Sequence, residues 1–195
     1  MRNVNVPDLG DSTPRRGNLF SAAVGRASLG LFGWDFEGSV PNVSKAVLIV
    51  APHTSNWDFF IGVAAMFGLG LRGVFLGKHT LFAWPLGSVM RWLGGIPVDR
   101  RATRGVVDET VKLFAGREQM ILALSPEGTR SSVERWKTGF YYVAMEAQVP
   151  IVPVALDYGR RLIRIGGRFE PTGELDRDLQ TLEEFFFGAE GRCVS

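Results

Sequence analysis

The chain has 195 residues, of which 46% are hydrophobic and 22% are charged, so it can bury the core of one globular domain and is neither disordered nor fibrous. One cysteine and two histidines exclude an internal disulfide, a cysteine-based zinc site and a multi-histidine metal centre. With a net charge of only +2, we expect no nucleic-acid partner.

The first 17 residues contain two prolines, two glycines and few large apolar side chains. This composition predicts a mobile N-terminal arm over residues 1–17, followed by one domain over residues 18–195. The arm has no apolar block of the secretory type, so a cytoplasmic location is expected. The longest apolar run, residues 59–71, is shorter than the ~20 residues that a membrane-spanning helix needs.

Apolar periodicity predicts alternating helices and strands along the rest of the chain. The predicted helices cover residues 19–34, 55–69, 103–115, 140–147 and 175–187. The predicted strands cover residues 46–50, 74–76, 120–124, 151–156 and 162–165. This order predicts an α/β fold in which helices cover a mostly parallel central sheet.

Basic residues concentrate in two regions. Arg15, Arg16 and Arg26 flank or lie in the weakly amphipathic helix predicted over residues 19–34. Residues 72–104 carry six lysines and arginines against the single acid Asp99. Both regions suit an anionic ligand or an anionic membrane surface, and solvated surface arginines are the alternative.

A first polar cluster, residues 52–58, follows the predicted strand 46–50. A turn between His53 and Asp58 can bring the carboxylate to the imidazole, which then has a free nitrogen to act as a general base. In a second interpretation Ser55 and Asp58 cap a helix, a role compatible with the first. A third, with Ser55 as a nucleophile, lacks the surrounding G-x-S-x-G elbow.

Three further motifs follow in the chain. Residues 94–100 bring Arg100 close to the start of the helix 103–115, a pattern typical of either a phosphate cradle or a surface turn. In residues 125–131, Gly128 allows a ligand to approach the backbone, Glu127 can orient a hydroxyl or hold an arginine, and Arg130 can bind a phosphate. Residues 149–154 predict a buried strand bracketed by prolines, with a structural or pocket-lining role.

Taken in this order, the motifs H-x4-D, GGIPVDR, PEGTR and VPIVPV resemble those of the glycerolipid acyltransferase family, typified by the lysophosphatidic acid acyltransferases. The resemblance runs from about Val47 to Leu156. Pro52 and Ser125 depart from the pattern, since the family often has a small polar residue and a phenylalanine there. The resemblance implies that two residues are catalytic, His53 and Asp58, and that others bind substrate: Arg100, Glu127, Gly128, Thr129, Arg130 and Lys78.

The resemblance also implies a reaction. An acyl thioester, acyl-CoA or acyl carrier protein, donates its acyl group directly to the free hydroxyl of a lysophospholipid, with lysophosphatidic acid as the expected acceptor. No covalent acyl-enzyme, metal or redox cofactor is required. We expect peripheral contact with the inner face of the membrane. The alternatives are a lipid or thioester hydrolase that uses the same His–Asp pair, and a non-catalytic membrane-binding module.

Some residues have simpler interpretations. His79 has no acid at a matching spacing, so we expect a surface or packing role for it. Trp84 and Trp92 can line an acyl channel, lie at an interface or pack in the core. Residues 185–187, three phenylalanines, favour docking on the core over lipid contact.

Overall fold

The computed structural model describes residues 3–98, 103–128 and 135–192. Its helices are α1 (Leu19–Leu31), α2 (Trp57–Leu69), α3 (Gly87–Trp92), α4 (Thr103–Ala115), α5 (Gly139–Ala147) and α6 (Leu175–Phe185), and His79–Phe82 form a 3-10 helix. Its strands are β1 (Asp35–Gly38), β2 (Lys45–Ala51), β3 (Gly73–Lys78), β4 (Gly95–Val98), β5 (Met120–Leu124), β6 (Ile151–Asp157) and β7 (Leu162–Ile165).

The strands form one mostly parallel sheet, which confirms the predicted fold class. Their order across the sheet is β1-β7-β6-β2-β5-β3-β4. Neighbouring strands from β6 to β4 pair in parallel, whereas β7 runs antiparallel to β6 and carries β1 as its parallel neighbour. Strands β1 and β4 and helix α3 were not among the predicted elements.

Helices cover both faces of the sheet because its central strands are apolar on both sides. On β2, Ala46 belongs to the core cluster that includes Leu29 of α1 and Ile61 of α2. The next residue, Val47, belongs to the opposite cluster. That cluster takes its helical members from α4, α5 and α6, among them Phe114, Val143 and Leu182.

The N-terminal segment, which the sequence predicts as a mobile arm over residues 1–17, contacts the domain at several described residues. Leu9 is only 2% exposed and belongs to the core cluster beneath α1 and α2. The Pro14 carbonyl accepts a 2.9 Å hydrogen bond from the Arg72 amide. Arg15 and Leu71 form an isolated antiparallel β-bridge. The segment thus lies beside the residues that link α2 to β3.

The carboxyl ends of β6, β2 and β5 lie side by side. These strands are adjacent and parallel, so the loops that follow them meet at one edge of the sheet. His53 follows β2, Glu127 follows β5 and Tyr158 follows β6. The fold therefore brings residues from three distant parts of the chain to one place.

Candidate active site

His53 and Asp58 form a hydrogen-bonded pair at this edge. Nδ1 of His53 lies 3.2 Å from Oδ2 of Asp58. The His53 side chain is 26% exposed, whereas the Asp58 side chain is 1% exposed. With its proton on Nδ1, the imidazole donates a hydrogen bond to the ionised carboxylate, and the lone pair of Nε2 is then available to act as a base.

Four hydrogen bonds hold the Asp58 carboxylate. Besides His53, Oδ2 accepts 2.7 Å bonds from the amides of Thr54 and Ser55, and Oδ1 accepts a 2.5 Å bond from the hydroxyl of Tyr158. Burial raises the pKa of Asp58, but the bonds from His53, Tyr158 and the Ser55 amide outweigh burial and leave the pKa below its usual value. The buried carboxylate is thus kept ionised beside the imidazole.

Ser55 and Asp58 bind backbone amides, as the capping interpretation predicts, but the helix begins one residue later than that pattern requires. Helix α2 begins at Trp57, so Asn56 occupies the N-cap position and makes no side-chain capping bond. The Ser55 hydroxyl accepts a 3.2 Å bond from the Trp57 amide, and Asp58 binds two amides that precede the helix. Asp58 therefore satisfies backbone donors and contacts His53 at the same time, so the two interpretations do not compete.

Glu127 makes a contact that the sequence did not predict. Its Oε2 accepts a 2.9 Å hydrogen bond from the backbone amide of His53, which joins the PEGTR motif to the H-x4-D motif. Burial raises the pKa of Glu127, and the bond from the His53 amide only partly opposes it. Glu127 therefore fixes the backbone that carries the imidazole.

Sequence reasoning missed Tyr158. Its ring packs edge-on against Trp34, with centroids 4.8 Å apart, and its amide donates to the Glu190 carbonyl. Burial and the hydrogen bond to Asp58 raise the pKa of Tyr158, so the phenol stays protonated and remains a donor. The available signal is its position two residues after the predicted strand 151–156, at the same end of the sheet as His53 and Glu127.

Sequence reasoning also missed the segment that follows α6. The Thr54 hydroxyl donates a 3.2 Å bond to the Arg192 carbonyl, and the Arg192 guanidinium lies 4.9 Å above the centre of the Trp57 ring. No motif marks this segment in the sequence, so its proximity to His53 depends on the tertiary fold alone.

The other predicted substrate-binding residues have different outcomes. Gly128 is exposed with φ at 63°, a left-handed conformation that favours glycine. Lys78 ends β3, which β5 separates from β2, and it forms no hydrogen bond or ion pair with the described residues His53, Asp58 and Glu127. Arg100, Thr129 and Arg130 lie outside the described residues.

The simpler interpretations are settled for several side chains. His79 is exposed in the 3-10 helix. Trp84 is 93% exposed, and Trp92 is also exposed and packs edge-on against Phe67, so neither is a core residue. Phe186 packs against Trp136, whereas Phe187 is 89% exposed. Among the residues that the structure describes, no helix combines the length and apolar composition that crossing a membrane requires.

A comparison with protein families decides the relationship of this chain to known proteins. A family model described as Acyltransferase matches residues 35–157, which include both His53 and Asp58. The chain belongs to the acyltransferase family. The matched region ends at the last residue of β6, so Tyr158 and the segment after α6 lie beyond it.

Curated members of this family are similar to the chain over part of their length. The 1-acyl-sn-glycerol-3-phosphate acyltransferase of Haemophilus influenzae is 29% identical over 64% of this chain and 54% of that protein. The Escherichia coli enzyme of the same name is 31% identical over 65% of this chain and 54% of its own length. The human 1-acyl-sn-glycerol-3-phosphate acyltransferase beta is 35% identical over 63% of this chain and 46% of its own length. The chain thus spans about half the length of these relatives.

A solved structure shares the fold. The crystal structure of the 1-acyl-sn-glycerophosphate acyltransferase PlsC from Thermotoga maritima superposes with a TM-score of 0.60 at 21% identity. The match covers 85% of this chain and 75% of that one. It therefore includes elements outside the family-model region, and it establishes the acyltransferase architecture.

Proposed function

We propose that this acyltransferase moves a fatty acyl group from an acyl thioester, on coenzyme A or acyl carrier protein, to the free hydroxyl of a lysophospholipid. The names of the similar enzymes support lysophosphatidic acid as the acceptor. The observation that carries the proposal is the 3.2 Å contact between His53 Nδ1 and Asp58 Oδ2, which leaves Nε2 able to accept a hydroxyl proton.

In the proposed reaction, Nε2 of His53 accepts the hydroxyl proton while the oxygen attacks the thioester carbonyl carbon. The new C–O bond forms, the C–S bond breaks, and the departing sulfur takes the proton from the imidazolium. Asp58 holds the ring in one tautomer and offsets the imidazolium charge. General-base assistance of this kind contributes ~10²–10⁴-fold. No atom changes oxidation state, so the transfer needs no redox cofactor.

We propose a direct transfer without a covalent acyl-enzyme. The Ser55 hydroxyl is engaged by the Trp57 amide at 3.2 Å, and Nδ1 of His53 faces Asp58 rather than Ser55. A serine nucleophile needs a base at its hydroxyl. The turn that holds Ser55 therefore supports the acceptor hydroxyl as the nucleophile.

The acceptor phosphate needs cationic partners. We propose this role for Arg100 and Arg130, with Lys78 at the carboxyl end of β3 as a further cation. Glu127, Gly128 and Thr129 would line the same site through the loop that follows β5.

We further propose that the enzyme binds the cytoplasmic face of the membrane through its exposed apolar side chains. One group lies on α1, at its C-cap and on the start of α2, and includes Phe20, Phe32 and Phe60. A second group lies on the 3-10 helix, α3 and the turn between them, and includes Trp84 and Trp92. Trp57, which is also exposed and directly precedes Asp58, lies within 6.4 Å of Phe32 between ring centres. Large exposed aromatic surfaces of this kind suit a lipid interface.

The proposal is tested with purified protein, lysophosphatidic acid and an acyl thioester, with products identified by mass spectrometry. We expect phosphatidic acid from the wild type, and a loss of at least ~10²-fold in His53→Ala. His79→Ala is the matched control, since it removes the other, exposed histidine and should leave the rate unchanged. Release of free fatty acid alone would establish a hydrolase. Vesicle binding without any turnover would establish a non-catalytic module.

A further inference from the structure

The segment after α6 spans the His53–Asp58 pair and touches the chain on both sides of it. On one side, the Glu190 carbonyl accepts a 2.9 Å hydrogen bond from the Tyr158 amide, and Tyr158 in turn binds Asp58. On the other side, the Arg192 carbonyl accepts a 3.2 Å bond from the hydroxyl of Thr54, the residue after His53. Two backbone carbonyls of the segment therefore hold it next to the His53–Asp58 pair.

Gly191, between these two contacts, lies very close to the His53 loop. A Cβ added at Gly191 would lie 2.8 Å from Cγ2 of Thr54 and 3.1 Å from its hydroxyl. Such a separation is too short for two carbon atoms, so only glycine fits there without a shift. The position of the next residue, Arg192, is thus defined by close packing against the site.

The positive charge of Arg192 lies beside the His53–Asp58 pair, over the residue that precedes Asp58. Its guanidinium stacks over Trp57 at 4.9 Å, and its charge lowers the pKa of Tyr158 against the larger effects of burial and of the hydrogen bond to Asp58. The side chain is exposed, and among the described residues it forms no ion pair with a carboxylate. The guanidinium therefore has donors available for a ligand.

An anionic substrate that approaches His53 meets two carboxyl groups, Asp58 beside the imidazole and Glu127 behind its backbone. A cation at the rim offsets that repulsion, and a guanidinium binds phosphate oxygens in bidentate geometry. We propose that Arg192 is a substrate-binding residue that recognises a phosphate group of either the acceptor or the thioester carrier. This inference rests on the proposed acyl transfer for its substrates, and it adds a residue from outside the region that the family model matches.

The test is calorimetric binding to the 195-residue chain, which does not require turnover. The probes are a soluble short-chain lysophosphatidic acid, the corresponding monoacylglycerol without phosphate, free coenzyme A, and pantetheine. We expect Arg192→Gln to raise the Kd of lysophosphatidic acid or of coenzyme A by at least about tenfold, and to leave the two phosphate-free probes unchanged. Arg192→Lys keeps the charge and should retain part of the affinity.

Arg177→Gln is the matched control, because it removes another exposed arginine, which lies on α6 and pairs with Glu174. It should leave every Kd unchanged. Weaker binding of lysophosphatidic acid places the acceptor phosphate at Arg192, and weaker binding of coenzyme A places the carrier there. Wild-type affinity of Arg192→Gln for both phosphate-bearing probes would overturn the inference while leaving acyl transfer intact. If the wild type transfers no acyl group but Arg192→Gln still weakens phosphate binding, the proposed function fails and the binding site stands.

Discussion

The hydroxyl of Tyr158 donates a 2.5 Å hydrogen bond to Oδ1 of Asp58, the carboxylate oxygen that His53 does not contact. The two residues lie 100 positions apart in the chain and meet because β6 and β2 are parallel neighbours. Among the described hydrogen bonds, the Tyr158 hydroxyl contacts Asp58 and not the imidazole of His53. We therefore predict that Tyr158 acts on the proposed reaction through Asp58, as a positioning residue that tunes how strongly the carboxylate holds the imidazolium.

Tyr158→Phe should shift the pH profile of the enzyme. Loss of the phenol donor raises the pKa of Asp58, because that hydrogen bond is one of those that lower it. The more basic carboxylate holds the imidazolium more firmly, so the base at Nε2 becomes available only at higher pH. We expect the acid limb of the kcat/KM profile to shift to higher pH by about half a unit or more. The measurement is kcat/KM over the full pH range.

Tyr141→Phe is the matched control for that shift. The hydroxyl of Tyr141, a member of the core cluster that contains Val47, donates a 2.8 Å hydrogen bond to the buried carboxylate of Asp178, away from His53. This variant should lower the melting temperature without moving the pH profile. If Tyr158→Phe behaves in the same way, its role is structural only and the positioning role is refuted.

Asp58→Asn should make the stability of the protein less sensitive to low pH. Since the folded state lowers the pKa of Asp58, its carboxylate contributes stability above the unfolded-state pKa of ~3.9, and that contribution is lost as the pH falls through the folded-state value. The gap in melting temperature between wild type and Asp58→Asn should therefore narrow as the pH falls from about 5 to below about 4. A gap that widens over that acid range would contradict the lowered pKa of Asp58.

The alternation of helices and strands could be predicted because the central strands are continuous apolar runs. Met120–Leu124 and Leu162–Ile165 have the bounds that the sequence predicts. The missed strands β1 and β4 lie at the two edges of the sheet, and each has four residues that pair with one neighbour only. Their structure depends on that partner rather than on a local apolar pattern.

The site was only partly predictable for a related reason. His53, Asp58 and Glu127 could be predicted as site residues because they are polar and follow buried strands. The carboxyl ends of parallel strands meet at one edge of the sheet. The contacts of Tyr158 with Asp58 and of Arg192 with Thr54 span 100 and 138 positions, and no local spacing encodes them. Which polar groups complete the pair is thus a property of the tertiary packing.

Gly191→Ala should weaken substrate binding although it removes no charged group. The added methyl would meet Cγ2 of Thr54 at 2.8 Å, so either Thr54 or the segment that carries Arg192 has to shift. We expect the segment to move away from the His53 loop. We expect KM for the phosphate-bearing substrate to rise about fivefold or more, with little change in melting temperature. Gly167→Ala is the control, because a methyl there meets no atom within 4 Å. Equal KM values for the two variants would show that Gly191 does not position Arg192.

Charged substitutions on the exposed aromatic side chains should release the enzyme from membranes. Trp84→Glu and Phe20→Glu each place a carboxylate on the proposed bilayer-facing surface, and we expect each to reduce partitioning onto anionic vesicles about tenfold. Phe187→Glu is the control, since Phe187 is 89% exposed but follows α6, on the opposite face of the sheet from α1 and α2. Vesicle co-sedimentation measures the effect, and high salt should weaken wild-type binding by screening the arginines. Equal loss of binding in all three variants would mean that the α1–α3 side chains are not the membrane contact.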